Sequence, residues 1–262
     1  MTKNPNKINN ETEKSQIISV VGKGKMGQSV ANKLQEIGYS VQVFDSKNLV
    51  QKEKLSESNF VIDCSVGPSF VSNLPIYLQT KQKVVVAATG WYDQIENVKK
   101  QVDDANGTLL WADNFSTGVM IYKKILAYAC QLFSQYPSYD LYGVEHHHNQ
   151  KKDSPSGTTK KISEILLDNF PAKTQVSFEN QHKQIDPKTL HIACLRGGMD
   201  NINHKFYFDN QEDNIEISHT NKDRIAFTNG IINSMLFLND KASGFYTFDD
   251  AYNPKNTTKK PN

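Results

Sequence analysis

The chain has 262 residues, enough for one large domain or two modest ones, and either size can bury a core. Its 30 basic and 28 acidic residues almost cancel, so no field of a single sign indicates binding to nucleic acid or to a membrane surface. No apolar run reaches the length of about 18 residues that a transmembrane helix needs. These features leave a globular protein that is large enough to be an enzyme.

The two ends of the chain and its cysteines indicate the cellular compartment. Residues 1–16 contain no apolar core of a signal peptide, and we expect this segment and residues 253–262 to be disordered tails. Cys64, Cys130 and Cys194 are odd in number and widely spaced, without a C-x-x-C pair. We therefore expect reduced core thiols and a cytoplasmic protein.

Short apolar runs alternate with possible helices over the first part of the chain. The first run, 16–21, leads into a turn that contains three glycines and then into an amphipathic stretch that ends before Gly38. Further strand-like runs are predicted at 41–44, 60–64, 84–88 and 108–111. Strands that alternate with helical connections predict an α/β fold with a Rossmann-like, doubly wound parallel sheet.

The pattern changes after about residue 117. Helices are predicted over 119–133 and roughly 158–170, with a strand near 139–144 and a polar, histidine-rich loop between them. The runs 191–195, 204–208 and 214–219 indicate antiparallel strands joined by polar turns. We therefore predict a second, α+β domain. A final helix over 225–238 can return the chain to the first domain, which gives predicted limits of 1–116, 117–224 and 225–262.

The glycine turn has the spacing G-x-G-x-x-G between a strand and a helix. Such a turn lets backbone N–H groups approach a pyrophosphate at the N-terminus of the helix. On this basis the predicted dinucleotide-binding residues are Gly22, Gly24, Lys25, Met26 and Gly27. The alternative is a glycine-rich turn without a ligand.

Asp45 ends the second strand, where a carboxylate would accept hydrogen bonds from the adenine ribose and repel a 2′-phosphate. This position favours NADH over NADPH. Two alternatives remain: that Asp45 opens a turn and does nothing more, and that Lys47 tolerates the 2′-phosphate of NADPH. Ser65, Thr89 and Gly90 lie in loops that follow sheet strands, so we expect these loops to line the cofactor crevice.

Residues 145–159, EHHHNQKKDSPSGTT, carry the densest chemistry in the sequence. Three consecutive histidines suggest zinc, but neighbouring residues of an extended chain point to opposite sides. His146 and His148 could therefore chelate together only with outside ligands, and His147 could not join them. We expect no metal here.

The same loop suits proton transfer and anion binding. Histidine titrates near neutrality, and Lys151 supplies either a proton or a fixed positive charge. Ser156, Gly157 and Thr158 open the next helix, and the hydroxyl and N–H groups of an uncapped N-terminus form a carboxylate site. The alternative is a solvated, histidine-rich turn with a serine cap.

The stretch E-x-H-H-x-x-K-x-D-S-P-S-G-T at 145–158 resembles the signature of the dihydrodipicolinate reductases, which act in lysine and diaminopimelate biosynthesis. The segments ATGW at 88–91, WADNFSTGV at 111–119 and ISHTNKDRIAFTNGIINSMLFL at 217–238 agree in the same order. The resemblance implies NADH- or NADPH-dependent reduction of a small cyclic dicarboxylate, 4-hydroxy-tetrahydrodipicolinate. It also implies a homotetramer whose second domain binds substrate and mediates assembly.

The resemblance also implies residue roles. The family's proton-transfer histidine matches His147 and its proton donor matches Lys151, whereas His148, Gly157 and Thr158 match residues that hold substrate carboxylates. The positions that contact the nicotinamide end are matched by Ala88, Thr89, Gly90, Asp113, Asn114 and Phe115. Arg224 matches a position near the interdomain hinge and the cofactor.

This chain departs from the family pattern in three places. Its glycine turn is one residue shorter than in many members, His146 replaces a small residue, and Ile202 stands where a glycine is usual. Two other functions compete: a different two-domain dehydrogenase of an amino or hydroxy acid, and a non-catalytic dinucleotide sensor. The first leaves the histidine loop unexplained, and the second needs no Lys151. For catalysis we expect closure about hinges near residues 117 and 225.

Overall fold

The computed structural model describes residues 16–199 and 202–252, so the predicted tails lie outside the described residues except for Gln16. The chain divides into two compact units. Residues 16–115 and 227–252 of the described chain belong to the first unit, and residues 116–226 form the second. No helix among the described residues is long and apolar enough to cross a membrane.

The helices and strands follow in chain order. The first part contains β1 (Ile17–Val21), α1 (Lys25–Glu36), β2 (Ser40–Phe44), α2 (Lys52–Leu55), β3 (Phe60–Asp63), α3 (Gly67–Gln79), β4 (Lys83–Val86), α4 (Ile95–Asp104) and β5 (Thr108–Trp111). The middle part contains α5 (Thr117–Phe133), β6 (Asp140–His147), α6 (Gly157–Asn169), β7 (Gln175–Ser177), β8 (Thr189–Arg196), β9 (Ile202–Asp209) and β10 (Asn214–Thr220). The last part contains α7 (Ile225–Leu238), β11 (Gly244–Thr247) and α8 (Phe248–Ala251).

The sheet of the first unit has six parallel strands in the order β11-β5-β4-β3-β1-β2. All of β3 and most of β4 are buried, as expected for central strands covered on both faces. The predicted Rossmann-like sheet is confirmed. Strand β11 was not predicted, and it brings the end of the chain into this sheet by pairing with β5.

The sheet of the second unit has five strands in the order β10-β9-β6-β8-β7. The predicted antiparallel arrangement is confirmed for β9 with β10, whereas β8 does not pair with β9: β6 lies between them, and β8 runs parallel to β6 and to β7. The physical reason is the helical crossover through α6, which returns the chain in the same direction. Helices α5 and α6 cover one face of this sheet, and Leu126, Leu166 and Phe206 are among the side chains of its core.

Candidate active site

The glycine turn between β1 and α1 borders a cavity of about 630 Å³ in the first unit. Gly22 has φ +96°, and a Cβ atom there would lie 2.7 Å from the backbone oxygen of Cys64. A Cβ atom on Gly27 would collide with the oxygen of Gly22, so these two glycines are required by packing. Gly24 has open space beside it and lines the cavity, so its missing side chain leaves room for a ligand.

Asp45 lines the same cavity and also holds a turn. Its Oδ1 accepts hydrogen bonds from the backbone nitrogens of Lys47 at 2.8 Å and Asn48 at 2.9 Å. The bonds from Asn48 and Lys47 lower the pKa of Asp45, so the carboxylate stays charged. The turn predicted as the alternative for Asp45 is therefore present, and it coexists with a carboxylate at the cavity wall.

A buried carboxylate at the end of β3 fixes the next loop of the cavity. Asp63 is fully buried and accepts hydrogen bonds from the backbone nitrogen of Ser65 at 2.8 Å, the Ser65 hydroxyl at 2.6 Å and the Tyr77 hydroxyl at 2.7 Å. Burial raises the pKa of Asp63, and the hydrogen bonds from Ser65 and Tyr77 oppose that rise only in part. Ser65 lines the cavity, but its hydroxyl hydrogen is directed to Asp63.

A second cavity of about 190 Å³ lies in the same unit. Of the residues predicted for the nicotinamide end, Thr89, Asp113, Asn114 and Phe115 line it, and Met26 of the glycine turn lines it as well. Ala88 does not line either cavity, because it is buried with 1% exposure, and its neighbour Ala87 takes the predicted place.

Three other predicted cofactor residues have different surroundings. Gly90 has φ +83° and open space beside it, as a glycine that admits a ligand would have. Lys25 is the exposed first residue of α1, and Arg224 is exposed in the turn before α7. Neither of these cations lines the two cavities.

Strand β6 extends through His147, three residues beyond its predicted end at 144. Its alternation places Glu145 and His147 on the buried face, whereas the ring of His146 lies opposite with its Nε2 3.0 Å from the oxygen of Gly197. The predicted histidine loop is therefore partly strand. Ile202, the departure from the family glycine, is the first residue of β9 and pairs with His147.

Glu145 is the centre of a hydrogen-bond network in the second unit. Its side chain is fully buried, and its Oε2 accepts from the backbone nitrogen of Ser156 at 2.9 Å and from the Thr159 hydroxyl. Its Oε1 accepts from Arg196 Nη2 at 2.5 Å. Burial alone would raise the pKa of Glu145, but the hydrogen bonds from Ser156, Thr159 and Arg196 outweigh it and lower the pKa to about 2.

Two imidazole rings face this carboxylate. The Nε2 atoms of His147 and His204 lie 3.8 and 3.9 Å from Glu145 Oε2, and the ring centroids are 5.5 Å apart at an angle of 82°. Burial lowers the pKa of each histidine to about 4, although the Glu145 charge opposes the shift. Both rings are therefore neutral near pH 7.

Lys151 lies in the loop after β6, and its Nζ is 2.8 Å from Asp153 Oδ1. Arg196 fixes this loop, because its Nη2 also donates to the backbone oxygen of Asp153 at 2.8 Å. The positive charge of Lys151 is among the groups that lower the pKa of His147. The loop therefore holds the predicted proton donor in the electrostatic range of the predicted proton-transfer histidine.

The N-terminus of α6 is capped, so the prediction of an uncapped end was wrong. Ser156 is the N-cap: its hydroxyl oxygen accepts from the nitrogen of Thr159 at 3.1 Å, and its own nitrogen donates to Glu145. At 3% exposure, Ser156 supports the site from within. Gly157 is exposed, with open space where a side chain would be, and Thr158 follows it in the first turn.

Sequence reasoning assigned no role to Glu145, Arg196 or His204. Glu145 was only the first letter of the motif, Arg196 followed the predicted strand 191–195, and His204 began the predicted strand 204–208. Continuing the two-residue alternation of β6 as far as His147 would have placed Glu145 and His147 on one face. The partners on β8 and β9 carry no such signal, because pairing with β6 brings them there.

Comparisons with known proteins agree along the chain. The family models described as dihydrodipicolinate reductase, N-terminus and C-terminus, match residues 16–115 and 118–251. A relative named 4-hydroxy-tetrahydrodipicolinate reductase from Methanococcoides burtonii is 30% identical over 86% of this chain and 84% of its own length. Another of that name, from Methanocaldococcus jannaschii, is 29% identical over 82% of this chain and 78% of its own.

The solved structures show the same fold. Dipicolinate-bound dihydrodipicolinate reductase from Paenisporosarcina sp. TG-14 matches with a TM-score of 0.67 and 19% identity, over 88% of this chain and 97% of that one. A probable dehydrogenase from Thermotoga maritima matches with a TM-score of 0.54 and 8% identity, over 90% of this chain and 92% of that one. Together with the two family models, which cover nearly all of the described residues, these findings show that the chain belongs to the dihydrodipicolinate reductase family.

Proposed function

We propose that this protein reduces 4-hydroxy-tetrahydrodipicolinate to tetrahydrodipicolinate, in lysine and diaminopimelate biosynthesis. The reaction takes up a hydride from NADH or NADPH and a proton, and it releases the 4-hydroxyl group as water. The observation that carries the proposal is the buried cluster of Glu145, His147 and His204 close to Lys151, in a chain that both family models match. A different dehydrogenase or a dinucleotide sensor gives no reason for this cluster.

The cavity beside the glycine turn fits the adenosine and pyrophosphate part of the cofactor. Gly24 leaves room for a pyrophosphate at the N-terminus of α1, and the charged carboxylate of Asp45 suits a ribose with free hydroxyls. We therefore favour NADH. Lys23 and Lys47 lie close enough to lower the pKa of Asp45, and these two cations would tolerate the 2′-phosphate of NADPH.

The second cavity fits the nicotinamide end. Thr89 and Asn114 line it on loops that follow neighbouring parallel strands β4 and β5, and ligands of such sheets bind beyond the carboxyl ends of the strands. When bound, the reduced nicotinamide supplies the hydride. The residues of this cavity would orient the ring and exclude water from it.

Lys151 is the group that we assign as proton donor, because an ammonium group offers hydrogens and no acceptor, whereas His147 is neutral near pH 7. The pairing with Asp153 holds the ammonium in place. His147 then contributes as a neutral imidazole that orients the substrate nitrogen or passes on a proton received from Lys151.

The substrate carboxylates would be held at the beginning of α6. The backbone N–H groups of the first helical turn carry the positive end of the helix dipole, and Gly157 leaves space for an anion to approach them. Thr158 and His148 complete the proposed carboxylate site. Ser156 supports it indirectly through its bond to Glu145.

The self-association implied by the resemblance, a homotetramer through the second unit, is part of the proposal. The side chains of Ile121, Ile125, Tyr128 and Leu132 recur at helical spacing on α5 and are 43–63% exposed. An apolar stripe of this kind is typical of a contact surface. Sedimentation of the purified full chain measures the assembly directly.

A coupled assay tests the proposed reaction. A dihydrodipicolinate synthase generates the substrate in the cuvette, and nicotinamide absorbance is followed with NADH and NADPH separately. We expect synthase-dependent oxidation of either cofactor and inhibition by dipicolinate, the ligand of the Paenisporosarcina structure. The reaction is refuted if neither cofactor is oxidised while a known reductase of the family is active in the same mixture.

A further inference from the structure

Glu145, His147 and His204 form a buried triangle. One ligand-type atom from each lies within 4.8 Å of the other two, and the residues are only 0%, 6% and 2% exposed. Within the described ranges, neither His147 Nε2 nor His204 Nε2 has a hydrogen-bond partner. Two donor-capable nitrogens therefore lie just beyond hydrogen-bond distance of a single carboxylate oxygen.

Such a triangle has the composition of a metal site, but its charge is already balanced. Arg196 donates to one oxygen of Glu145, and Ser156 and Thr159 donate to the other. A divalent cation here would add positive charge beside a guanidinium and compete with the Thr159 hydroxyl for the same oxygen. The surroundings of Glu145 Oε2 therefore suit hydrogen-bond donors and not a metal ion.

The carboxylate has a fixed position. Its donors come from β8 and from the first turn of α6, so both oxygens are held on two sides. His204 packs edge-on against the ring of His147, with 5.5 Å between the centroids. The His147 ring therefore has both a fixed negative charge in front of Nε2 and a ring beside it.

A fixed negative oxygen selects the tautomer whose hydrogen faces it. The distance of 3.8 Å from Oε2 to His147 Nε2 is longer than a hydrogen bond, and contacts of this kind commonly tighten when substrate binds. With its hydrogen on Nε2, the neutral ring carries its lone pair on Nδ1.

We propose that Glu145 is the positioning residue of His147, holding its hydrogen on Nε2 and leaving Nδ1 as the nitrogen that meets the substrate. The inference rests on the proposed function for what His147 does, but the tautomer can be observed without turnover. Arg196 and Thr159 act through Glu145 by fixing its two oxygens.

Nitrogen-15 NMR of the histidine rings tests the tautomer in wild type and in Glu145→Gln. We expect the Nε2–H form of His147 in wild type. In the variant, the Gln amide offers N–H where an oxygen stood, so the population should move to Nδ1–H. Glu164→Gln is the control, because it removes an exposed carboxylate that pairs with Lys161 on α6 and should leave the His147 signal unchanged.

Steady-state kinetics distinguish a positioning role of Glu145 from a purely structural one. We expect Glu145→Gln to lower kcat about tenfold or more, with KM changed less than about threefold. Glu145→Asp keeps the charge and should recover part of kcat together with the Nε2–H signal. A wild-type kcat in Glu145→Gln would overturn the proposal.

Two further outcomes are decisive. If Glu145→Gln does not fold, the wild-type spectrum still decides, since an Nδ1–H tautomer of His147 there would refute the inference. One-to-one zinc binding that is lost in both Glu145→Gln and His204→Gln would make the triangle a metal site instead. If the wild-type protein shows no turnover, the proposed function is contradicted. The tautomer of His147 and its dependence on Glu145 still test the contact between these two residues.

Discussion

Asp63 in the first unit and Glu145 in the second are both fully buried carboxylates near the carboxyl end of a strand. Each accepts a hydrogen bond from the backbone nitrogen of a serine that begins the next loop or helix. Their ionisation nevertheless shifts in opposite directions: burial raises the pKa of Asp63, whereas the donors around Glu145 outweigh burial and lower its pKa to about 2.

The difference lies in the donors. Asp63 receives neutral hydroxyl and N–H groups from Ser65 and Tyr77, whereas Glu145 has the guanidinium of Arg196 in addition to Ser156 and Thr159. A cation compensates the desolvation of a buried carboxylate, and neutral donors do so only in part. The second unit therefore carries a permanent negative charge beside the two histidines.

The largest effect is expected when each of the two buried carboxylates is replaced by the amide of the same shape. We expect Glu145→Gln to cost about 3 kcal/mol, because it leaves Arg196 without its anion, and Asp63→Asn to cost about 1 kcal/mol. Urea unfolding followed by far-UV circular dichroism measures both. Trp91 and Trp111, the two tryptophans of the chain, report separately on the first unit. Equal losses would remove the distinction between the two carboxylates.

A second set of substitutions tests whether the proton-transfer residues lie in the second unit. We expect Lys151→Ala and His147→Ala each to lower kcat about 100-fold, because both are assigned to the proton, and Gly157 or Thr158 substitutions to raise KM instead. Lys152→Ala and His146→Ala are the neighbouring controls. Steady-state kinetics in the coupled assay measures these effects, and near-normal kcat in both primary variants would contradict the assignment.

The stability of the two units is also expected to depend differently on pH. The pKa values of His147 and His204 are about 4 in the folded state, below the ordinary 6.5, so the folded state binds fewer protons. Their contribution is complete above pH 6.5 and is lost as the pH falls towards 4. The raised pKa of Asp63 has the opposite sign and favours the first unit in acid.

Hydrogen exchange of each unit between pH 7 and 4 measures this difference. We expect the second unit to lose protection first, and His204→Asn to reduce that loss because one buried ionisation is removed. Parallel loss in both units, or no effect of the substitution, would contradict the sign derived from the two histidines.

The smallest expected effect concerns the choice of cofactor in the first unit. Asp45→Ala should weaken NADH binding about tenfold and NADPH binding less, because the carboxylate is assigned to the ribose hydroxyls. Asp104→Ala removes an exposed carboxylate paired with Lys100 and serves as control. Titration of both cofactors measures the effect, and a wild-type preference of about tenfold for NADPH would contradict the assignment.

The elements of the first unit follow closely from the sequence, because strongly apolar runs and glycine turns are local signals. The helix predicted at 225–238 has the same bounds as α7. The predictions failed where pairing with other strands determines the structure. The crossover through α6 brings β8 beside β6 in parallel, and β6 continues to His147 because β8 and β9 pair with its last residues. The short edge strand β11 has no strong pattern of its own, and its pairing with β5 makes it a strand.

The family resemblance, the parallel sheet and the segments that carry the chemistry could be predicted from the sequence, because they depend on residue order and local periodicity. The position of Glu145 beside His147, His204 and Arg196 could not be predicted in this way. These residues come from three strands that are distant in sequence, and only the sheet register brings them together. Their ionisation depends on burial and on donors from other elements, and no local pattern encodes either of these.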